Sequence, residues 1–313
     1  MIKKVSHQCF GQELLRLAED HDFLVFNADT KSCGIENFGK LFPGRGYTFG
    51  IAEQNLVASA SGAASCGCKV ILATFAVFAS MRACEQVRTF VCYPNLDVTI
   101  LATHGGLQTG EDGATHIALE DIGIMRTLPN ITIVEPSDFV ATEKLARLSM
   151  DFHGPLYIRF PKAATKQIHD PESYTMEIGK ANIMREGNGA TIAASGWILS
   201  RAIEAAEELA AEGISVRVVE IHTIKPIDQE AIIAAAKETG AIVTVEDHSF
   251  IGGLGSAVAE VVSENYPVPI KRIGVPDCFG ESGKADLLYK KHGMLTKDIV
   301  SAIKSVIARK EID

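Results

Sequence analysis

Apolar runs alternate with segments of helical periodicity along the first half of the chain. The runs predict buried strands at 23–27, 70–75, 98–103, 131–134 and 156–160. The periodic segments predict helices at 52–65, at 78–91 and from a Ser137 cap, with Asp138 in the first turn, to about 150. Because these strands are apolar along their whole length, the alternation predicts a mostly parallel sheet covered by helices.

The same alternation restarts after a polar stretch without a clean period. Strands are predicted at 191–194, 216–220, 242–245 and 270–273, and helices at 199–211, 229–239, 254–262 and 298–308, the last capped by Thr296. We therefore expect two α/β domains, each a mostly parallel sheet flanked by helices. Their predicted bounds are 1–165 and 190–313, with 166–189 as the linker.

Composition and charge exclude several classes of function. With 47% hydrophobic and 22% charged residues, the chain is typical of globular proteins. A net charge of −9 disfavours binding to nucleic acid or to an anionic membrane. The longest apolar stretch, 57–80, is interrupted by two glycines and a lysine, so it predicts a buried helix and strand. The seven cysteines match no common zinc spacing, and no signal peptide is predicted, so we expect reduced thiols in a cytoplasmic protein.

Glu53 is the first candidate for chemistry. It stands in the first turn of a predicted helix, after a strand end, where α/β sheets place their ligands. Its neighbours Ile51, Leu56 and Val57 are apolar, and desolvation of a carboxyl group favours its protonated form. The alternative is that Glu53 only interacts favourably with the helix dipole.

A glycine-rich loop and an aromatic pair are the next candidates. The loop from His104 to His116 holds four glycines, two histidines and two carboxylates, among them Asp112. Such a loop can approach a ligand closely, and its histidines can move protons or bind substrate hydroxyls, although a purely structural loop is also consistent with it. Phe75 and Phe78 could stack a flat heterocycle or belong to the core.

The order and spacing of these motifs resemble those of the C-terminal half of transketolases, most closely the separate C-terminal subunit of split transketolases. The resemblance covers nearly the whole chain and implies a pyrimidine-binding domain followed by a transketolase C-terminal domain. The motifs that carry it are Ala28-Asp29, Gly50-Ile51-Ala52-Glu53-Gln54-Asn55, Thr74-Phe75 with Phe78, Gly110-Glu111-Asp112-Gly113-Ala114-Thr115-His116, His222-Thr223-Ile224-Lys225-Pro226-Ile227-Asp228 and Gly252-Gly253-Leu254-Gly255-Ser256.

The resemblance implies thiamine diphosphate chemistry. Glu53 would be the carboxyl group that activates the aminopyrimidine ring of the cofactor, so that the thiazolium carbon becomes a nucleophile. Phe75 and Phe78 would stack against that ring, and Asp29 would lie near the cofactor and a partner subunit.

The same resemblance implies contacts with a sugar substrate. His104 and His116 would lie near the reacting hydroxyls, and Asp112 would bind a hydroxyl of the donor. Arg159 would clamp the phosphate of the acceptor, a role that suits a guanidinium fork. The expected reaction is the transfer of a two-carbon ketol unit from a ketose phosphate to an aldose, as in pentose phosphate metabolism.

One motif of the family has no counterpart in this sequence. The family holds the diphosphate through Mg²⁺ (or Ca²⁺) with a Gly-Asp-Gly motif, which does not occur here. The resemblance therefore implies an N-terminal partner subunit that carries the diphosphate-binding domain, in a heterotetramer of two plus two chains. His7 stands near the position of a phosphate-binding arginine, and the stretch 30–34 departs from the family pattern.

Three alternatives remain open from the sequence. The β subunit of a 2-oxo acid dehydrogenase decarboxylase shares the fold and a similar glutamate. 1-Deoxyxylulose-5-phosphate synthase shares the stretch 50–54 but carries all its domains in one chain. A non-catalytic paralogue would lack Glu53, which is present. A dinucleotide-binding oxidoreductase is disfavoured because the turn 252–255 is not followed by the third glycine of the fingerprint.

Overall fold

The apolar runs of the first half form strands that are buried on both faces. In the computed structural model, which describes residues 2–310, these strands build most of a seven-stranded sheet. The strands up to residue 166 are β1 (Lys3–Lys4), β2 (Leu24–Asn27), β3 (Gly46–Thr48), β4 (Val70–Phe75), β5 (Val98–Thr103), β6 (Thr132–Val134), β7 (Leu156–Arg159) and β8 (Thr165–Lys166). The two-residue strands β1 and β8 pair with each other.

The helices of this half cover the sheet. They are α1 (Ser6–Leu17), α2 (Phe38–Leu41), α3 (Glu53–Ser65), α4 (Cys84–Gln86), α5 (Asp121–Arg126) and α6 (Phe139–Asp151). Two π-helical segments, Phe78–Arg82 and Val87–Cys92, flank α4, and a 3₁₀ segment spans Leu107–Asp112. The sequence predicts one regular helix over 78–91. Hydrophobic periodicity does not distinguish i→i+5 from i→i+4 bonding, and π-bulges are often found at functional sites.

The second half forms a five-stranded sheet with its own helices. The strands in this half of the chain are β9 (Asn182–Arg185), β10 (Ala190–Ala194), β11 (Val216–Glu220), β12 (Thr223–Lys225), β13 (Ile242–Ser249) and β14 (Ile270–Val275), of which all but β12 belong to this sheet. The helices are α7 (Leu199–Ala211), α8 (Gln229–Thr239), α9 (Leu254–Asn265), α10 (Ala285–Lys291) and α11 (Thr296–Lys310). The order of this sheet is β14-β13-β10-β11-β9, and only β9 runs antiparallel to its neighbour. The predicted fold class is therefore confirmed.

The two halves are more closely joined than the predicted linker implies. The last part of the stretch 166–189 forms β9, the edge strand of the second sheet. Strand β12 leaves the second half and pairs antiparallel with β6, so the first sheet has the order β12-β6-β7-β5-β4-β2-β3. One hydrophobic cluster contains residues of both halves, from Leu72 and Ile122 to Ile232 and Val258. Among residues 2–310, no helix is both long and apolar enough to cross a membrane.

The start of α6 differs by one residue from the prediction. Asp138, not Ser137, is the N-cap, and its Oδ1 accepts a hydrogen bond from the Ala141 amide at 2.9 Å. The Ser137 hydroxyl instead bonds to Glu220 and lies 2.9 Å from His169 Nε2. Both residue types are favoured at N-caps, so local preference alone does not choose between them.

Candidate active site

The candidate site lies where β2, β4 and β5 end. In a parallel sheet the carboxyl ends of the strands meet at one edge, so residues distant in sequence come together there. Phe75 ends β4, His104 follows β5, and Phe78 lies in the first π-helical segment. The Phe75 ring centroid is 3.9 Å from that of His104, 5.8 Å from Phe78 and 5.7 Å from His116. The structure thus gathers four of the candidate residues into one aromatic cluster.

Glu53 lies at the start of α3, beside this cluster. Its side chain is 1% exposed, and its Oε2 accepts a hydrogen bond from Arg82 Nη1 at 2.8 Å. The Arg82 guanidinium lies 4.1 Å from the centroid of the Phe78 ring, so it stacks on the ring and pairs with the carboxylate at once. The sequence does not single out Arg82, because nothing in the helical pattern of 78–91 indicates which side chain reaches Glu53.

His104 is a buried, neutral imidazole. Its Nδ1 is 3.0 Å from the Thr103 hydroxyl, and its Nε2 is 3.6 Å from Asp112 Oδ2. Burial, with smaller contributions from the neighbouring His7 and Lys162, lowers the pKa of His104 to about 3, and Asp112 opposes the shift. At neutral pH the ring therefore keeps one donor and one acceptor nitrogen, which suits binding to hydroxyl groups.

The loop after His104 brings Asp112 and His116 to the same edge. His116 has its ring centroid 5.6 Å from that of Phe78, and its Nδ1 lies 2.9 Å from the Thr115 hydroxyl. Both oxygens of Asp112 accept from Lys162 Nζ at 2.6 Å. The loop thus presents an imidazole and a carboxylate next to the aromatic cluster.

Arg159 lies apart from the solvent-facing residues of the site. The side chain is fully buried in β7, and its Nε donates to Asp121 Oδ2 at 2.9 Å while Nη1 donates to Glu135. Its Nη2 donates to the carbonyls of Ala118 and Asp247. Every nitrogen of the guanidinium is engaged within the protein, so this position does not suit the phosphate contact that the resemblance implies.

A cavity of about 300 Å³ opens beside Phe75 and His104. Two lysines, a second histidine and two hydroxyl groups line it, so its chemistry suits a hydroxylated anion. The lining residues are Val5, His7, Gln8, Thr30, Lys31, Ser32, Phe75, His104 and Lys162. Sequence reasoning missed Lys31 and Lys162, although a lysine shortly after the end of a buried strand is a usable signal for Lys162.

The backbone around this cavity is strained. Asp29, Lys31, Cys33 and His104 have φ values of 60°, 48°, 69° and 66°, a left-handed conformation that non-glycine residues rarely adopt. Such strain is concentrated at functional sites, where the surrounding structure maintains it. Asp29 is exposed at the carboxyl end of β2, beside the cavity rather than in the aromatic cluster.

The turn 252–255 forms no cradle for a pyrophosphate. Glu246 already accepts hydrogen bonds from the amides of Leu254 and Gly255 at 2.6 and 2.8 Å, at the start of α9. A Cβ atom at Gly253 would lie 2.0 Å from Glu246 Oε2, so this glycine serves close packing. The amides that would bind a dinucleotide are therefore satisfied by the protein itself.

Comparisons with known proteins identify the family to which the chain belongs. The family model for the transketolase pyrimidine binding domain matches residues 2–167, and that for the transketolase C-terminal domain matches residues 179–299. A putative transketolase C-terminal section from Methanocaldococcus jannaschii is 44% identical over 306 residues, covering 96% of each chain. A 6-deoxy-6-sulfo-D-fructose transketolase subunit from a Clostridium species is 41% identical, covering 95% of this chain and 92% of that protein.

A solved structure has nearly the same fold over its full length. It is described as a split gene transketolase, inactive beta4 tetramer, and it superposes with a TM-score of 0.91 at 40% identity, covering 98% of this chain and 99% of that one. Both domains, their order and the length of the chain agree with that structure and with the relatives above. The chain therefore belongs to the transketolase family, with the two domains of the C-terminal subunit of a split transketolase.

Proposed function

We propose that this chain is the C-terminal subunit of a thiamine diphosphate-dependent enzyme that transfers a two-carbon ketol unit from a ketose to an aldose. The observation that carries the proposal is the single cluster formed by Phe75, Phe78, His104 and His116, with the buried Glu53 carboxylate joined to it through Arg82.

The residues present fit the aminopyrimidine half of the cofactor. Two aromatic rings can pack against a flat heterocycle, and a buried carboxyl group at a helix start can share a proton with a ring nitrogen. Glu53 would make that hydrogen bond, and Phe75 and Phe78 would provide the packing surface. When bound, thiamine diphosphate supplies the electron sink for breaking a carbon–carbon bond next to a carbonyl.

The diphosphate and its Mg²⁺ would be held by a partner subunit. The sequence has no Gly-Asp-Gly motif, and the chain matches relatives that are named as subunits or sections of transketolases over almost their whole length. We infer an N-terminal partner that brings the diphosphate-binding domain to the edge where Glu53 and Asp29 lie. A heterotetramer of two plus two chains would place an active site at each contact between the two types of subunit.

The substrate would lie between the aromatic cluster and the cavity beside it. Neutral His104 can accept hydrogen bonds from sugar hydroxyls with one ring nitrogen and donate to them with the other, and His116 faces the same space. Asp112 can accept from a donor hydroxyl and lies within reach of Lys162. These side chains would orient the carbon chain of the sugar and transfer protons at its hydroxyl oxygens.

The terminal anion of the substrate would contact Lys162 and Lys31 instead of Arg159. Both lysines line the cavity together with the hydroxyls of Thr30 and Ser32, whereas Arg159 is fully buried. Lysine binds phosphate or sulfonate as a point charge and does not require the planar geometry of a guanidinium. One relative is named for a sulfonated fructose. A substrate that ends in sulfonate is therefore supported as well as a pentose phosphate.

The proposal is tested by reconstitution with the partner. The tagged chain is isolated from its native lysate, the co-eluting chain is identified by mass spectrometry, and the pair is supplied with thiamine diphosphate and Mg²⁺. Ketol transfer is then measured with ketoses that end in phosphate, in sulfonate or in an uncharged hydroxyl, and decarboxylation with 2-oxo acids. We expect transfer from an anionic ketose; decarboxylation of 2-oxo acids without transfer would instead identify a 2-oxo acid decarboxylase subunit.

A further inference from the structure

The second domain contacts the active-site loop through a buried carboxylate. Asp247 lies in β13 with 1% of its surface exposed, and its Oδ1 accepts a hydrogen bond from the Leu107 amide at 2.9 Å. Leu107 begins the 3₁₀ segment that leads to Asp112. A Cβ atom at Gly106 would lie 2.3 Å from Asp247 Oδ2, so the loop approaches the carboxylate as closely as only glycine allows.

The other oxygen of Asp247 is fixed from within the second domain. Its Oδ2 accepts from Trp197 Nε1 at 2.8 Å and from the Tyr289 hydroxyl at 2.5 Å. Three donors from three segments thus meet on one side chain, which leaves the carboxylate a single orientation. Trp197 Nε1 is also 3.1 Å from the Tyr289 hydroxyl, so these two groups can bond to each other.

The same domain holds the loop at two further points. The Ser282 hydroxyl donates to the Glu111 carbonyl at 2.6 Å, directly before Asp112. The Ser249 amide donates to the Leu119 carbonyl at 2.9 Å, just after the loop ends. Two positions in the loop and one position just after it are therefore bonded to the second domain.

We propose that Asp247 is a positioning residue, through which the second domain sets the placement of Asp112 and His116 toward the sugar. The inference rests on the proposed function in one respect only, the identity of what the loop binds. It gives the second domain a role in substrate binding, although none of the candidate catalytic residues lies in it. The cofactor contacts of Glu53, which lie outside the loop, should not depend on Asp247.

Asp247→Ala tests the contact with the loop while leaving the donors within the second domain a partner. The Trp197 and Tyr289 donors can still bond to each other, whereas the Leu107 amide loses its acceptor. A buried amide without a partner is unfavourable, so the loop should relax away from its position. For the reconstituted enzyme we expect kcat/KM for the ketose donor to fall about tenfold or more, mainly through KM, with the dissociation constant of thiamine diphosphate unchanged.

Tyr289→Phe is the matched control. It removes a donor to Asp247 Oδ2 but leaves the Leu107 contact, so it should lower thermal stability and leave kcat/KM within about twofold. Ser282→Ala removes the hydrogen bond to the Glu111 carbonyl at an exposed site. It should raise KM about threefold without changing thermal stability. It keeps the proposal testable if Asp247→Ala does not fold. Equal losses of kcat/KM in Asp247→Ala and Tyr289→Phe, or an unchanged KM in Ser282→Ala, would overturn the proposal.

Amide hydrogen exchange provides a readout that does not depend on the reaction. In Asp247→Ala we expect faster exchange in peptides that span 104–116, with unchanged exchange in α3, which carries Glu53. If the wild-type complex shows no ketol transfer while this local increase is observed, the positioning role stands and the proposed function fails. If exchange of the loop is unchanged, the positioning role fails whatever the substrate.

Discussion

Glu53 and Arg82 form an ion pair whose two ends lie in different surroundings. The Glu53 carboxylate is buried, whereas 45% of the Arg82 side chain is exposed and its guanidinium rests on the Phe78 ring. A buried charge that loses its partner is left uncompensated, which costs more than the pair itself contributes. Arg82 therefore supports the carboxylate that we propose to act on the aminopyrimidine ring.

Glu53→Gln should remove that action with little change in shape. The amide can still accept from Arg82 and can donate an N–H to the ring nitrogen, but it cannot exchange a proton with that nitrogen as a carboxyl group does, so we expect turnover to fall about 100-fold or more. Partner association and thermal stability should be preserved. The measurement is kcat of the reconstituted enzyme beside Glu85→Gln, which removes an exposed carboxylate from α4. Comparable turnover in the two variants would refute the role of Glu53.

Lys162→Met should weaken substrate binding and leave the cofactor untouched. The variant keeps the length of the side chain but removes the charge that we propose to meet the terminal anion, so KM for an anionic ketose should rise about tenfold. Lys162→Arg should restore most of the affinity. A ketose with an uncharged end serves as the control substrate, since its KM should not respond to either change. An equal effect on charged and uncharged ketoses would show that Lys162 acts only through Asp112.

Residue type alone could identify some of these positions but not others. His104 and His116 stand in loops beyond strand ends, where side chains face a ligand, and the sequence singled them out. Arg159 also stands at a strand end, as the last residue of β7, yet its side chain is enclosed by Asp121 and Glu135. A motif reports which chemistry is available, whereas the direction of a side chain depends on contacts from distant segments.

At the scale of elements, buried strands were the easiest to predict. Strands β4, β5 and β11 and helices α7 and α8 begin and end where the pattern predicts. The hydrophobic pattern does not reveal helix α1 because its buried face includes the polar residues His7 and Glu13. It does not reveal β9 because that strand has only four residues and its apolar Ile183 is exposed. The extent of β13 to Ser249 was also missed, because its last residues are charged and polar, and one of them is Asp247.

Helix α6 depends on a single capping carboxylate. Asp138 Oδ1 accepts from the Ala141 amide, and Oδ2 accepts from the amides of Ile168 and His169 at 2.7 and 2.8 Å. Asp138→Ala leaves three amides without an acceptor, so we expect a loss of about 3 kcal/mol in the free energy of unfolding.

Urea unfolding measures this loss against Ser137→Ala. That variant retains the cap and should cost about 2 kcal/mol, because the Ser137 hydroxyl bonds to the Glu220 carboxylate and contacts His169. A smaller loss in Asp138→Ala than in Ser137→Ala would mean that Ser137 is the functional cap in solution.

At the scale of the whole molecule, buried neutral histidines should make stability depend on pH. The Cys33 amide donates to His7 Nδ1 at 3.2 Å, and burial lowers the pKa of His7 to about 4, against about 6.5 in an unfolded chain. Between these values the unfolded chain binds more protons than the folded one. Stability from this group is therefore complete above pH 6.5 and is lost as the pH falls toward 4.

His7→Asn should reduce that dependence. Asparagine places its side-chain oxygen near the position of Nδ1, so it can still accept from the Cys33 amide, and it does not titrate. Between pH 7 and pH 5, the free energy of unfolding should fall by about 2 kcal/mol less in the variant than in the wild type. His104, whose pKa is also lowered, is present in both proteins and cancels in the comparison. Parallel curves for the two proteins would contradict a neutral, buried His7.

Contacts between the halves had no local signal in the sequence. Strand β12 joins the first sheet although it follows β11 of the second, and the bonds of Asp247 to the loop span about half of the chain. Each of these segments shows a complete strand or loop pattern by itself, so its sequence gives no sign of the contact. These are nevertheless the contacts by which one domain can influence the chemistry of the other.

The surface next to Glu53 exposes a large apolar side chain. Ile51, two residues before Glu53, is 81% exposed. Apolar surface beside half of a cofactor site is what a partner subunit would bury. Ile51→Asp should therefore prevent association with the N-terminal partner, because burying a carboxylate without a counter-charge is unfavourable.

Co-elution with the partner on size exclusion and turnover of the mixture measure the effect of Ile51→Asp. Ile183→Asp, a change of the same kind on the edge strand β9 where Ile183 is 54% exposed, is the control and should retain both. Thermal stability should be equal in the two variants, since neither side chain is part of the core. If Ile51→Asp still co-elutes with the partner and turns over substrate normally, the partner must approach Glu53 from another side. The loop 104–116, which Asp247 holds at the same edge of the sheet, would then be the next surface to test for contact with the proposed partner.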